Sequence, residues 1–511
     1  MNNVLKVLCL VIIVMISQFV PMIDYNEMAY IPHGYWLYSS SWLENDWSLA
    51  YSTLHLYPFG YLSGFFVQQF GFIPTIFVGR IVSYIFFSYS FLKLTKAFEL
   101  DFSFTVACLT VFLLYFSEGM YAGEWIVGGL ETKVFAYSLV LLSIAAILRD
   151  TVGSSFLYAG VALSLHPLVG GYHILCLANV LLYKVFRHQM SFKTILKKSY
   201  LFLIGGFWGI AGILIHLFEQ NDVELSRQAW DILVQVRVPF HNLPKLYSQA
   251  LFFPMLFSIF NGVMLFFSKK LQVRELSVYI LTTVFISGLG ILIYLFGDQT
   301  LLRFYFFRFG DSMQPLLTLA VLSTVISSLW SSLSKKVGQK KIVENMLVTA
   351  TLAVVLSLFL VKNSANLRSL RDNSFTSEEI SKASSMDFEL MKWIKKETNK
   401  NAVFIAPVSM ETFFMDAQRS LFVSWKLAPY EVERIVEWYR RILLLNKGED
   451  LFAKNIDPKR ELEKNYSRLT ENEILKIQRL YPEITHIISP STNELAFDEA
   501  YRTERFILYR L

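Results

Sequence analysis

Long apolar segments alternate with short polar ones over the first two thirds of the chain. The stretch 155–183 is too long for one membrane crossing and is interrupted at His166-Pro167, so we predict two short helices that meet at a break. Other runs with the length and apolarity of a membrane span lie near 4–21, 73–97, 102–117, 133–148, 199–217, 247–267, 276–297, 313–333 and 344–362. The pattern predicts about eleven spans.

The positive charges indicate the topology. Lysines and arginines concentrate in alternate loops if the N-terminus is cytoplasmic and the aromatic segment 54–70 lies in the outer membrane face instead of crossing it. No small-residue cleavage site follows the first apolar run, so we predict a retained anchor. We therefore predict a multi-pass protein of the cytoplasmic (inner) membrane, with a cytoplasmic N-terminus and an extracytoplasmic C-terminus.

The pattern changes near Asn363, where acidic and basic residues become frequent and balanced. Helical periodicity appears near 376–398, 430–446 and 470–481, and β-type runs appear at 402–406, 421–424, 485–488 and 506–511. We predict a polytopic α-helical membrane domain over 1–362, with a long first outer loop over 22–72. A small soluble α/β domain over 363–511 then follows on the extracytoplasmic side.

Composition agrees with this class and excludes others. Hydrophobic residues make up 54% of the 511 residues and charged residues 17%, which is typical of a helical membrane protein. The net charge of +6 comes from the cytoplasmic loops, so we expect the lipid bilayer as a partner and no nucleic acid. The chain contains no phosphate-binding glycine loop, HExxH, GxSxG or CxxC motif, which argues against soluble-type NTPase, protease or redox chemistry.

Acidic residues follow the first apolar run directly. Asp24 and Glu27 lie where the first span would emerge, within a stretch from Lys6 to Arg80 that has no other lysine or arginine. A carboxylate fixed at the membrane surface can act as a general base, or can hold a divalent metal ion that bridges a diphosphate. The competing interpretation is that acids are simply tolerated in an outer loop.

Four arginines and one histidine are the other candidates. Arg237 and His241 lie in a turn bounded by prolines, where arginine suits phosphate binding and histidine suits proton transfer. Arg303 and Arg308 lie among aromatic residues before a span, a pattern that favours a lipid diphosphate site, unless Arg308 only pairs with Asp311. Arg80 lies inside a span and either has a function or pairs with an acid of the first loop.

These features resemble the GT-C superfamily of multi-span glycosyltransferases. The resemblance rests on the single anchor, the interfacial helix, the span around Phe77-Val78-Gly79-Arg80, and Asn26-Glu27-Met28-Ala29-Tyr30, which is similar to the family's Asp-Glu-x-x-Tyr pattern with Asn in place of the first acid. The C-terminal part, including Arg419–Lys426 and Glu437–Arg441, resembles uncharacterised bacterial GT-C-like proteins. The resemblance implies transfer of a sugar from a polyprenyl-phosphate-linked donor at the extracytoplasmic face.

The expected function is therefore that of a cell-envelope glycosyltransferase with a glycan, lipid or protein acceptor. Asp24 or Glu27 would act as base or metal ligand, His241 would take part in proton transfer, and the arginines would stabilise the departing lipid phosphate. One alternative is a glycan ligase or polymerase of the O-antigen type, in which the arginines and the histidine carry the reaction. Another is a non-catalytic envelope-assembly scaffold or a transporter.

Overall fold

The structure is a computed structural model that describes residues 2–50, 54–218, 222–246, 252–336, 353–366, 368, 376–452 and 457–511. Helices dominate up to residue 336. In chain order these helices are α1 (Asn3–Gln18), α2 (Glu27–Tyr38), α3 (Tyr57–Phe70), α4 (Phe72–Ala97), α5 (Phe102–Tyr115), α6 (Thr132–Ile147), α7 (Val152–Leu165), α8 (Pro167–Phe186), α9 (Phe192–Lys198), α10 (Tyr200–Phe218), α11 (Val223–Ile232), α12 (Pro239–Asn242), α13 (Phe252–Phe267), α14 (Leu271–Phe296) and α15 (Arg308–Lys336).

Several of these helices have the length and apolarity of membrane spans. Four qualify on their own: Phe72–Ala97, Pro167–Phe186, Leu271–Phe296 and Arg308–Ser331. α9 and α10, which meet at an angle of 48°, form a fifth if the bent pair is one span. Shorter apolar helices, among them α1, α5, α6, α7, α13 and Ala353–Lys362, occupy further predicted segments. Residues 247–251 and 344–352 lie outside the described part, and the count of about eleven spans stays a prediction.

The break predicted within 155–183 is confirmed. α7 ends at Leu165 and α8 begins at Pro167, because proline disfavours helical backbone in the residue before it. His166 is extended at the junction, and its Nδ1 accepts a hydrogen bond from the backbone N–H of Val169 at 3.3 Å, which caps α8. The two helices meet without an intervening loop, so the break places His166 and Pro167 on the wall of the cavity described below.

The first outer loop folds as a hairpin of two helices. α2 and the helix predicted over 54–70, observed as α3, approach so closely that a Cβ on Gly64 would lie 2.5 Å from the backbone oxygen of Gly34. Glycine at both positions is therefore a packing requirement. α3 forms as predicted, and its place in the outer membrane face stays a prediction.

The C-terminal part contains a five-stranded sheet in the order β2-β1-β3-β5-β4. β1 (Val403–Ile405) pairs in parallel with β2 (Ser420–Leu421) and β3 (Ile484–Pro490), whereas β5 (Phe506–Arg510) runs antiparallel to both β3 and β4 (Asp498–Arg502). Its helices are Ser377–Ser384, Phe388–Glu397, Phe413–Asp416, Val432–Leu445, Pro458–Tyr466 and Glu471–Leu480. The α/β character agrees with the sequence prediction.

One prediction for this part needs correction, and two further elements were not predicted. The single helix predicted over 376–398 is two helices, because Ser385 is extended and ends the first one. Asp387 caps the second by accepting a hydrogen bond from Leu390 N–H at 3.1 Å. β4 was not predicted, because its residues are charged and largely exposed and so show no apolar alternation. The helix Pro458–Tyr466 was also missed.

The C-terminal part shares its core with two loops of the helical part. Leu37, Leu43 and Leu49 of the first loop pack in one hydrophobic cluster with Phe404 and Leu421 of the sheet. A second cluster includes Ala229, Ile232 and Val236, from α11 and the π-helical turn that follows it, together with β1, β3 and the helix Val432–Leu445. The sheet is therefore held against these loops by apolar burial, which positions it over the site.

Candidate functional site

A cavity of about 1140 Å³ lies between the helical part and the C-terminal part. Its walls come from the start of α8, the end of α10, the turn around α12, the segment Arg303–Arg308, the first outer loop and the C-terminal residues around Trp425 and Lys459. Five of the seven predicted site residues line it: Asp24, Arg237, His241, Arg303 and Arg308. Segments of both the helical part and the C-terminal part therefore meet at this cavity.

Glu27 and Arg80 do not line the cavity and form a buried ion pair instead. Arg80 donates to the two carboxylate oxygens of Glu27 at 2.7 and 2.5 Å, and also to the carbonyl oxygens of Val20 and Met22 at 2.7 Å. Glu27 further accepts from the backbone N–H groups of Asp24 and Leu130. Burial raises the pKa of Glu27, and Arg80 opposes this shift. The pairing of Arg80 with a first-loop acid, one of the two sequence interpretations, is the one observed.

This pairing separates the two carboxylates of the acidic motif. Glu27 is fully buried and both of its oxygens are occupied, so no coordination position is left for a metal ion. Asp24 lies at the cavity, where its Oδ1 accepts from Asn26 N–H at 2.9 Å. Within the described ranges, no group of three or more His, Cys, Asp or Glu side chains is arranged to hold a metal ion. Asp24 therefore remains the candidate carboxylate of the motif.

His241 is held in one tautomer. Its Nδ1 lies 2.5 Å from the carbonyl oxygen of Ala122, and because a carbonyl can only accept, Nδ1 carries the proton. Burial lowers the pKa of His241 well below its ordinary value, and the positive charge of Arg308 lowers it further. The imidazole is therefore neutral, with Nε2 as a proton acceptor. A neutral, oriented histidine on a cavity wall has the properties of a general base.

Arg308 belongs to a neutralised network at the start of α15. It donates to Glu124 through Nε at 2.6 Å, and Lys133 lies 3.7 Å from the same carboxylate and 3.0 Å from Glu131. Asp311, the partner that sequence suggested for Arg308, accepts instead from three backbone N–H groups, those of Met120, Tyr121 and Glu124. The Arg308–Asp311 pairing is therefore wrong. α15 also begins five residues earlier than predicted, at Arg308.

Arg237 and Arg303 carry charges that no described carboxylate neutralises directly. Arg237 donates to the carbonyl oxygen of Lys426 at 3.1 Å, and its buried Nε has no hydrogen-bond partner among the described residues. Arg303 lies over the rings of Trp230 and Phe304, at 4.4 and 4.9 Å from their centroids. Both residues line the cavity. The site therefore presents cations next to aromatic surface.

Two lysines that sequence reasoning missed complete the site. Lys133 is buried over the Trp125 ring, with Nζ 3.7 Å from the centroid. Lys426 comes from the C-terminal part, lies 4.1 Å from the centroid of the Tyr25 ring and donates to Oδ1 of Asn26. Burial lowers the pKa of Lys426 to about 7, and the nearby Arg237 lowers it too. The sequence placed Lys426 only at the end of the Arg419–Lys426 motif, after the apolar β-type run at 421–424, and assigned it no role in the site.

Fold and site together define the class of protein. It is a helical protein with several helices able to span a membrane, and a small α/β part closes over a cationic, aromatic cavity. Residues 388–445 match a family model described as a domain of unknown function (DUF6798). Among curated proteins, no sequence matches the chain.

Two solved structures show a coarse likeness. The archaeal oligosaccharyltransferase AglB from Archaeoglobus fulgidus, in complex with an inhibitory peptide and a dolichol-phosphate, has a TM-score of 0.48 and 9% identity over 95% of this chain and 69% of that chain. An Archaeoglobus fulgidus oligosaccharyltransferase tethered to an acceptor peptide with an NVT sequon has a TM-score of 0.45 and 10% identity over the same shares. At these TM-scores the likenesses establish neither a family nor an activity for this chain.

Proposed function

We propose that this protein is an integral membrane glycosyltransferase of the GT-C type. It would transfer a sugar from a polyprenyl-phosphate-linked donor to a glycan, lipid or protein acceptor at the extracytoplasmic face of the cell membrane. The observation that carries the proposal is the pair of cavity arginines, Arg237 and Arg303, whose charges lack a direct carboxylate partner among the described residues.

A lipid phosphate would supply the negative charge that balances the cavity arginines, and its isoprenoid chain would fit the apolar wall beside them. A guanidinium group binds phosphate oxygens through two parallel N–H donors, and the apolar and aromatic side chains beside it suit an isoprenoid chain. The end of α10 contributes Ile213 and Ile215 to the same wall, and Ile215 is also partly exposed on the outer surface of the helix. The donor's tail would leave the cavity there while its phosphate stays at the arginines.

The proposed reaction needs one base and a stabilised leaving group. Nε2 of His241 takes the proton of an acceptor hydroxyl, whose oxygen attacks the anomeric carbon of the donor sugar. The bond between that carbon and the phosphate oxygen breaks, and its electron pair leaves on the lipid phosphate. Arg237 and Arg303 stabilise the charge that develops there, whereas Arg308 is already paired with Glu124.

The alternative of a glycan ligase or polymerase is also a transfer from a lipid-linked donor, and one observation favours it. Glu27 of the acidic motif is engaged by Arg80 away from the cavity, so a histidine and arginines are the available catalytic groups, as in that alternative. Asp24 is the competing base, because its carboxylate also lines the cavity.

Separate substitutions of the two candidate bases test the proposal. In cells that rely on the variant gene, His241→Gln should lower the rate of transfer about 10²–10⁴-fold and make the polyprenyl-linked sugar accumulate, because the imidazole that accepts the proton is lost. Mass spectrometry of the extracted lipids measures the pool, with immunoblots for protein level. Arg479→Gln, an exposed arginine outside the cavity, is the matched control.

The outcomes separate the candidate functions. Accumulation in Asp24→Asn but not in His241→Gln would make Asp24 the base. An unchanged lipid pool in both variants, at normal protein level, would contradict the proposed transferase and favour a scaffold or a transporter.

A further inference from the structure

We propose that the cavity contains a second anion site, which binds the negatively charged sugar of an acceptor glycan. It consists of Tyr25 and Lys426 and shares Arg237 with the proposed donor site, and we call it the seam site because it joins the predicted first outer loop to the C-terminal part. The inference rests on the proposed function, and it adds that the acceptor is an acidic sugar, carrying a carboxylate or a phosphate.

The first step is the state of Lys426. Its ammonium group can donate three hydrogen bonds, yet its contacts among the described residues are one amide oxygen, that of Asn26, and the face of Tyr25. No described carboxylate lies within ion-pair distance of it. An ammonium group held in a largely desolvated place without a counter-ion is costly, and an incoming anion relieves that cost.

The second step is the local balance of charge. Arg237 donates a hydrogen bond to the backbone carbonyl of Lys426, and its buried Nε has no hydrogen-bond partner among the described residues. Two cationic side chains therefore lie side by side, and both have N–H groups without an acceptor in the described part of the chain. Two neighbouring carboxylates already have partners: Glu131 pairs with Lys133 and accepts from Asn26, and Glu411 pairs with Lys459 and hydrogen-bonds to Tyr25. Asp24, which lines the cavity nearby, accepts from Asn26 N–H. The seam site therefore keeps open N–H donors on Arg237 and Lys426, from which an anion can accept hydrogen bonds.

The third step assigns this site to the acceptor. Lys426 belongs to the C-terminal α/β part, whereas Arg303 lies between the apolar helices α14 and α15. A lipid-linked donor is tied to the membrane by its tail, so its phosphate belongs beside Arg303. A soluble or extended glycan reaches the cavity from the opposite side, past Tyr25.

Binding of small probes to the full-length protein in lipid nanodiscs tests the inference. Isothermal titration would use D-glucuronate, glucose 6-phosphate and, as the uncharged match, glucose; farnesyl phosphate would report the donor site. We expect one of the acidic sugars or both to bind, and glucose not to bind. Which of them binds distinguishes a carboxylate from a phosphate acceptor.

Matched variants locate the binding. Lys426→Met should weaken binding of the acidic sugar about tenfold or more, because a hydrogen bond to a charged group is lost, while Lys426→Arg retains it. Lys476→Met, an exposed lysine, is the control, and Lys426→Gln replaces the methionine variant if that variant does not fold. Arg303→Met should weaken farnesyl phosphate and spare the acidic sugar.

Three results would overturn the seam site. These are no binding of either acidic sugar to the wild type, equal binding to wild type and Lys426→Met, or loss of farnesyl phosphate in Lys426→Met with no loss of the sugar. The last result would mean that the seam binds the donor headgroup. If acidic sugars behave as expected but farnesyl phosphate does not bind the wild type, the proposed function fails and the seam site stands.

Discussion

At the scale of single residues, the acidic motif splits into a structural half and a cavity half. Glu27 is buried against Arg80, so removal of one partner leaves an uncompensated charge. Glu27→Leu or Arg80→Met should each destabilise the protein by about 3–5 kcal/mol. Thermal unfolding in detergent measures the loss, and the double variant should recover a large part of it.

The transfer activity of a folded Glu27 variant shows whether Glu27 has a structural or a catalytic role. If Glu27 only holds the first loop to α4, Glu27→Gln that remains folded should keep most of its transfer activity. A Glu27→Gln protein with wild-type stability and no activity would instead make Glu27 a catalytic group, as the sequence resemblance implied.

Lys426 gives the seam site a dependence on pH. Burial and the charge of Arg237 lower its pKa to about 7, Lys133 lowers it further, and Glu131 and Asp24 act in the opposite direction. The charged form binds the anion, so affinity for an acidic sugar should fall as pH rises through 7, about tenfold between about pH 6 and pH 8. Burial lowers the pKa of His241 well below its ordinary value, and this residue is not part of the seam site.

Titration calorimetry across this range checks the prediction, with Lys426→Arg as the control. The arginine variant should show a nearly flat profile, since a guanidinium group stays charged. A wild-type profile as flat as that of Lys426→Arg would contradict the assignment of Lys426.

Residue types in outer loops were enough to nominate Asp24, Arg237, His241, Arg303 and Arg308, because polar residues beside apolar spans are few. The same reasoning could not tell which of the two carboxylates, Asp24 or Glu27, lines the cavity. Glu27 and Arg80 lie 53 positions apart, and only the packing of α2 against α4 brings them together. Lys426 was missed for a related reason: it lies in a part rich in charges, where one lysine does not stand out.

At the scale of elements, close packing of α7 on α10 sets one wall of the cavity. A Cβ on Gly209 would lie 2.5 Å from the backbone oxygen of Leu163, which cannot move as a side chain can. Gly209→Ala should therefore destabilise the protein by about 1–3 kcal/mol, despite the better helix propensity of alanine.

Gly288→Ala is the matched control for this packing. Nothing lies within 4 Å of a Cβ at Gly288 in α14, so alanine there should stabilise the helix by about 0.5–1 kcal/mol. Thermal unfolding of both variants measures the difference. Equal shifts for the two substitutions would contradict the close approach of α7 and α10.

Apolar length and proline placement predicted most of the helices, including the break at His166, because both act locally. α11 escaped prediction since its apolar positions are few, and they face the core of the C-terminal part instead of lipid. Strand β4 was not predicted, because its charged and largely exposed residues show no apolar alternation. Elements whose stability comes from distant partners leave a weak local pattern.

At the scale of the whole molecule, the account needs the cavity and the C-terminal part on the outer side. Single cysteines at Lys193, exposed in α9, and Lys476, exposed in the C-terminal part, report the two sides. A membrane-impermeant maleimide on intact cells should label Lys476→Cys and should label Lys193→Cys only after permeabilisation. The natural cysteines give little background, since Cys108 and Cys176 are buried and Cys9 is half-buried.

The reverse labelling pattern would place the cavity in the cytoplasm and would contradict an extracytoplasmic transferase. Equal labelling of both positions on intact cells would contradict the membrane topology itself.

The division at residue 362 describes composition better than it describes packing. Sequence indicated where charged residues become frequent, and the hydrophobic clusters cross that position by including first-loop and α11 side chains. Such long-range burial depends on tertiary structure, which no local pattern records. For the same reason the cavity, lined by segments from Asp24 to Lys459, could not be predicted as one site.

The central claim is that a lipid phosphate binds at the cavity arginines. The most direct measurement is an electron cryo-microscopy structure of the full-length protein in nanodiscs with farnesyl phosphate. We predict phosphate density in contact with Arg303 and Arg237, with the isoprenoid chain passing the end of α10. Phosphate density elsewhere on the protein, or a cavity that stays empty at saturating farnesyl phosphate, would contradict the account.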